Sequence, residues 1–120
     1  MGLDKKHCVP CEGGTPPLSD AEEDAYLLQT PDWALERGGT HRLSKTFRFP
    51  SYPEGIQFAQ AVGSLAETEN HHPVLTIKYK RVLVQLSTHA VGGLSENDFI
   101  MAAKIDGLAG PERAGAGSTA

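Results

Sequence analysis

The sequence predicts an α+β domain in which hairpin-joined strands carry helices on one face, in the order α-β-β-α-β-β-α. Three observations predict it. Capping signals precede each of three segments, and the longest segment spaces its apolar residues by three and four. Between the segments apolar and polar residues alternate, the period of a half-buried strand. Turn residues split those alternating runs into pairs, so strand follows strand before each new helix.

Ser19-Asp20-Ala21-Glu22 reads as a capping box and starts a helix that runs to about Gln29, ahead of Pro31. Trp33 and Leu35 then alternate with Ala34 and Glu36 as a short strand, and Arg37-Gly38-Gly39 turns the chain. The second strand reaches Phe49, with Leu43, Phe47 and Phe49 inward. Tyr52-Pro53-Glu54 opens the longest helix, Pro53 being tolerated in the first turn. Its inward residues fall in two adjoining stripes, Ile56, Ala59, Val62 and Ala66 beside Phe58, Ala61 and Leu65. Pro73 disfavours helical dihedrals just before it, so the helix ends near Asn70.

From Pro73 the period becomes two. Leu75, Ile77 and Tyr79 face one way, and Val82, Val84 and Leu86 repeat the pattern beyond a turn at Lys80-Arg81. Ser95-Glu96-Asn97-Asp98 caps a last helix that carries Phe99, Ile100, Ala103 and Leu108 inward. A strand over 82–88 is expected at the sheet edge, where another subunit could pair. Residues 1–17 are rich in Gly, Pro and Cys and are expected to be a flexible segment. Residues 109–120 lack large apolar side chains and are expected to form a disordered tail, leaving a folded domain over 18–108.

The 120 residues suit one domain, and a formal net charge of −4 argues against binding a phosphate backbone. No nucleic-acid partner is expected. Nor is a membrane partner: no run of apolar residues is long enough to span a bilayer, and the first residues lack the apolar core of a signal peptide. A cytoplasmic location is the expectation. Cys8 and Cys11 are the two cysteines. They supply half of a zinc ligand set, and lack the strand-helix context of a redox dithiol. Reduced thiols are the plain reading, with metal shared across an oligomer as the sharper one.

The chemistry concentrates in histidine. His71-His72-Pro73 stands where the long helix meets a strand, and His89 follows the hairpin partner of that strand. A turn near Lys80-Arg81 returns both strand ends to one edge, so His89 approaches the pair. Glu67 precedes His71 by one helical turn and could reach its ring, and Asp98 lies at the positive end of the last helix. Imidazoles backed by carboxylates serve either metal binding or acid–base work, and the residues alone leave that choice open.

Glu67-x-x-x-His71-His72-Pro73, followed by Tyr79, His89 and Asp98, resembles the signature of the pterin-4a-carbinolamine dehydratases. Pro31-Asp32-Trp33, Phe47-Arg48-Phe49, Leu86-Ser87-Thr88-His89 and Gly93-Leu94-Ser95-x-x-Asp98 are similar to that family as well, over about residues 8 to 106. His7-Cys8-Val9-Pro10-Cys11 resembles the start of its bacterial members. Two departures stand out: Leu75 lies where animal members carry Trp beside the pterin, and Lys80-Arg81 replaces a common Asn-Lys turn.

The resemblance implies a four-stranded antiparallel sheet with three helices, and an oligomer, dimer or tetramer, with sheets joined across subunits. It implies dehydration of 4a-hydroxytetrahydropterin to quinonoid dihydropterin with no cofactor and no metal. His71, His72 and His89 would be the catalytic residues. His72 and His89 would flank C4a and N5, and His71 would support them or share the proton. Glu67 and Asp98 would orient the rings, while Ser87, Thr88 and Leu75 would meet the pterin. The expected partners are the pterin itself and, through the pathway, a phenylalanine hydroxylase. Two rival readings are a three-histidine metal protein and a non-enzymatic dimerisation cofactor of a transcription factor.

Overall fold

The structure, a computed structural model, describes residues 2–10 and 15–116. Helix α1 (Asp20–Leu27) begins with the full capping box. The Ser19 hydroxyl accepts from the Glu22 N–H at 3.2 Å, and the Glu22 carboxylate accepts from the Ser19 N–H at 2.8 Å. Two amides that a first turn leaves unpaired are thereby satisfied. Helix α2 (Tyr52–Glu69) is capped by the Ser51 hydroxyl and ends at Asn70, whose φ of 53° lies in the left-handed region. Asn tolerates that region better than most residues, and the chain reverses there into Pro73. Helix α3 (Glu96–Ala116) starts from half a box. The Ser95 N–H donates to the Asp98 carboxylate at 2.9 Å, but the Ser95 hydroxyl has turned to that of Thr88 at 2.8 Å.

Strands β1 (Ala34–Glu36), β2 (Arg42–Arg48), β3 (Val74–Lys78) and β4 (Arg81–Leu86) make one antiparallel sheet in the order β1-β2-β4-β3. The register of β2 on β4 runs from Leu43 opposite Leu86 to Arg48 opposite Arg81. Strand β4 is therefore interior and β3 is the edge, which corrects the expectation of an edge over 82–88. Both strands of a hairpin alternate alike, so periodicity does not tell them apart. Burial does: Val82, Val84 and Leu86 are sealed, whereas Val74 and Ile77 are exposed.

The inner face of the sheet meets α2 and α3 around Phe47. Its ring centroid lies 4.8 Å from that of Phe58 and 6.0 Å from that of Trp33. Phe99, Ile100, Met101 and Ile105 fill the other side from α3. Two inward assignments are corrected. Ile56 is exposed because the buried line of α2 passes through Phe58, Val62 and Ala66, and a residue two before Phe58 lies most of half a turn away. Leu108 is exposed one turn beyond Ile105. Lys45, which alternation places between Leu43 and Phe47, has a fully buried side chain whose ammonium lies 2.8 Å from Asp106. The Trp33 indole N–H donates to the same carboxylate. Burial pushes the Asp106 carboxyl above its ordinary pKa, and Lys45 opposes that rise.

Part of the amino-terminal segment is described. A 3-10 turn over Leu3–Lys5 packs on α3 and sinks Leu3 into the core, 4% exposed. Its large apolar side chain supplies a burial term that the surrounding Gly and Pro obscure in the composition. The α3 backbone continues to Ala116, across much of the tail expected over 109–120. Residues 117–120 and Cys11 lie outside the described residues. Among the described residues, no helix is long and apolar enough to cross a membrane.

Candidate active site

Helix α2, the end of β4 and the first turn of α3 converge at one end of the sheet. Because Asn70 breaks the helix, His71 leaves the α2 spiral and turns toward α3, its N–H still bonded to the Ala66 carbonyl at 3.1 Å. Its Nε2 lies 2.7 Å from Oδ1 of Asp98. A carboxylate only accepts, so His71 donates through Nε2 and turns Nδ1 away from Asp98.

Asp98 is sealed from solvent, and its second oxygen accepts from the Thr88 hydroxyl at 2.6 Å and the Ser95 N–H at 2.9 Å. Donors reach both oxygens of a carboxylate in the first turn of α3. Asp98 is thus more than a helix cap. The same carboxylate holds the α3 start, the β4 exit and one imidazole.

His72 lies next in the chain and is more exposed. Its Nε2 is 2.6 Å from Oε2 of Glu67, so Glu67 serves His72 rather than His71. The expected pairing required an unbroken helix through residue 71, which Asn70 prevents. His89 begins a short 3-10 turn over His89–Val91 that is closed by Gly92 at a φ of 72°, a conformation suited to glycine. The Thr88 N–H donates to the Gly93 carbonyl at 2.7 Å and clamps the base of that loop.

His71, His72 and His89 all line one cleft of about 550 Å³, with Ser87 and Thr88 on its wall. That volume suits a small heterocyclic ligand. The Thr88 hydroxyl is consumed by Asp98 and Ser95, and its N–H by the Gly93 carbonyl, so Thr88 shapes the wall of the cleft rather than offering it a free donor. Leu75 does not line the cleft. It sits on β3, partly buried against the core.

The opposite wall was not foreseen. Cys8, Val9 and Pro10 line the cleft, fastened by Glu69 and Asn97. Glu69 ends α2 with a carboxylate in the last turn, where the helix dipole disfavours it. An acid in that position signals a partner, and Glu69 has two at hydrogen-bond distance, the Cys8 N–H at 2.7 Å and the His7 ring at 2.8 Å. Burial pushes the Glu69 carboxyl up, but the Cys8 amide, His7 and Lys104 together hold it below its ordinary value. Burial, then the carboxylates of Glu69 and Asp98, push the Cys8 thiol up to about 12. A thiol so raised stays protonated at neutral pH and is a poor nucleophile or metal ligand.

Among the described residues, the one grouping of His, Cys, Asp or Glu whose ligand atoms lie within 4.8 Å of one another is Asp20, Glu23 and His41. Its buried member, Glu23, is already paired with Arg37 and His41. The cleft histidines form no such grouping.

One α+β domain thus brings three imidazoles, one of them bonded to a buried carboxylate, to a single cleft of ligand size. The model of the family described as pterin 4 alpha carbinolamine dehydratase matches residues 16–108. This chain belongs to that family. A relative from Methylococcus capsulatus, provisionally named pterin-4-alpha-carbinolamine dehydratase, is 47% identical and covers 89% of this chain and 93% of its own. One of the same name from Chlorobium luteolum is 45% identical, over 88% and 94%. Among solved structures, the transcriptional coactivator/pterin dehydratase from Brucella melitensis has a TM-score of 0.73 at 30% identity, covering 78% of this chain and 99% of its own. A pterin dehydratase-like protein described as a RuBisCO assembly factor in the alpha-carboxysome has a TM-score of 0.56 at 28% identity, over 65% and 92%.

Proposed function

We propose that this chain dehydrates 4a-hydroxytetrahydropterin to quinonoid dihydropterin and water by histidine acid–base catalysis. The observation that carries the reading is the His71–Asp98 pair at 2.7 Å in the cleft that His72 and His89 also line. The C4a hydroxyl departs as water once it accepts a proton, the N5 proton is removed, and the N5–H electrons form the N5=C4a double bond. Imidazole titrates near pH 6.5 and serves as either acid or base at neutral pH. His72 and His89 flank C4a and N5, and His71, fixed by Asp98, shares the proton between turnovers. Glu67 orients His72, while Ser87, through its backbone groups, and the wall at Thr88 meet the pterin ring. No step requires a redox cofactor.

The substrate of such an enzyme is the carbinolamine left by a pterin-dependent aromatic hydroxylase, of which phenylalanine hydroxylase is the natural candidate, in a reducing cytoplasm. Strand β3 leaves its outer backbone edge open for a second copy, so pairing in a dimer or tetramer belongs to the same proposal. The test is a stopped-flow assay on chemically generated 4a-hydroxytetrahydropterin. Decay of the carbinolamine absorbance should accelerate in proportion to enzyme concentration. Decay at the spontaneous rate at every enzyme concentration overturns the reading.

A further inference from the structure

Cys8, Val9 and Pro10 wall the cleft. Asn97 is buried, and its amide clasps Val9 from both sides: the Val9 N–H donates to Oδ1 at 3.0 Å, and Nδ2 donates to the Val9 carbonyl at 2.6 Å. This is the paired geometry of a strand ladder, made by one side chain. Glu69 takes the neighbouring Cys8 N–H, so consecutive backbone amides of the segment are held from two helices. Both anchors sit beside the proton-transfer machinery, Glu69 two residues before His71 and Asn97 immediately before Asp98. Buried side chains that spend their hydrogen bonds on an otherwise exposed segment specify where that segment lies. Here they lay it along the cleft.

We propose that residues 7–10 form a strap that completes the pterin cleft, with Asn97 and Glu69 as positioning residues that set substrate affinity. The inference rests on the dehydratase reading and deepens it. The strap offers the cleft a neutral thiol, an aliphatic side chain and a proline, and its one imidazole, His7, is engaged with Glu69. Such groups touch ground state and transition state alike, so their loss weakens binding without slowing the chemical step.

The experiment uses the full chain carrying Cys11→Ser, so that Cys8 is the sole thiol. Adding Asn97→Ala should raise KM for the carbinolamine roughly five- to tenfold, with kcat within about twofold and an unchanged pH profile. Alkylation of Cys8 by iodoacetamide should quicken several-fold in the same variant. In the strapped protein, saturating 7,8-dihydrobiopterin should slow that alkylation at least about threefold, because the thiol lines the ligand's cleft. If Asn97→Ala fails to fold by circular dichroism, Val9→Pro carries the same prediction with a smaller KM rise, since it removes the Val9 N–H but keeps the carbonyl that accepts from Asn97 Nδ2. Unchanged KM with no protection of Cys8 overturns the strap. A fall in kcat at constant KM also overturns it and assigns Asn97 to the support of Asp98. If the Cys11→Ser parent does not accelerate dehydration at all, the dehydratase reading fails instead.

Discussion

Two carboxylate–imidazole pairs stand at the same end of the sheet, and they differ in almost everything but distance. His71–Asp98 spans 2.7 Å with side chains 12% and 0% exposed, whereas His72–Glu67 spans 2.6 Å with side chains 55% and 79% exposed. The first pair is welded into the fold, because Asp98 also holds Thr88 and Ser95. The second joins two surface side chains across the end of one helix. In high dielectric such a pair contributes little and breaks easily, while a buried, fully hydrogen-bonded pair fixes a tautomer and a ring orientation. Under the proposed dehydration the difference becomes a division of labour: a rigid imidazole would define the site, and freer ones would meet the substrate.

The sharpest way to probe that division is to remove a freer imidazole. His89→Ala should lower kcat by about 10²–10⁴-fold, the usual worth of a general acid or base, with unfolding free energy nearly unchanged because His89 is exposed. A wild-type rate in the carbinolamine assay would remove His89 from the chemistry. Next in size is Asp98→Asn, which leaves donors facing an amide. It should cost about 2–4 kcal/mol in urea denaturation and about 10–100-fold in kcat. An effect on rate without one on stability would mean that Asp98 acts on substrate rather than on the fold.

Acid pH probes Glu69, the other buried acid of this region. Glu69 is held below its ordinary pKa, so its stabilising contribution is complete above about pH 4.3 and is lost as pH falls through the lower folded value. Urea titrations between about pH 3 and 6 should show this slope in the wild type and a flatter one in Glu69→Gln. Equal slopes would mean that the strap contacts of Glu69 do not persist in solution. The smallest effect belongs to Glu67→Gln, with kcat within about threefold and stability within about 0.5 kcal/mol, because the pair is solvent-screened.

Local signals were legible in the sequence wherever the interaction is local. The Ser19 box, the helix start at Pro53, the Asn70 stop before Pro73 and the β3–β4 hairpin depend on residues a few positions apart, and each is present. So did the convergence of His71, His72 and His89 on one cleft follow from a hairpin and a helix end. What escaped is long-range. Strand order depends on β2 choosing β4 over β3, and both offer the same alternation. Glu67 was assigned to the wrong ring because a single left-handed residue rotates His71 out of the helix. Lys45 sits on a core face because Asp106, far along the chain, waits there. Asn97 and Glu69 find their partners at the other end of the chain, at Val9 and Cys8, where no spacing rule reaches.

The most direct test of the account sets the two carboxylates side by side. Purified Asp98→Asn and Glu67→Gln, both confirmed as folded, are compared with the wild type for the rate of 4a-hydroxytetrahydropterin dehydration at neutral pH. The account predicts at least about a tenfold loss at Asp98 and little change at Glu67. Equal rates in all three, or the larger loss at Glu67, would contradict it.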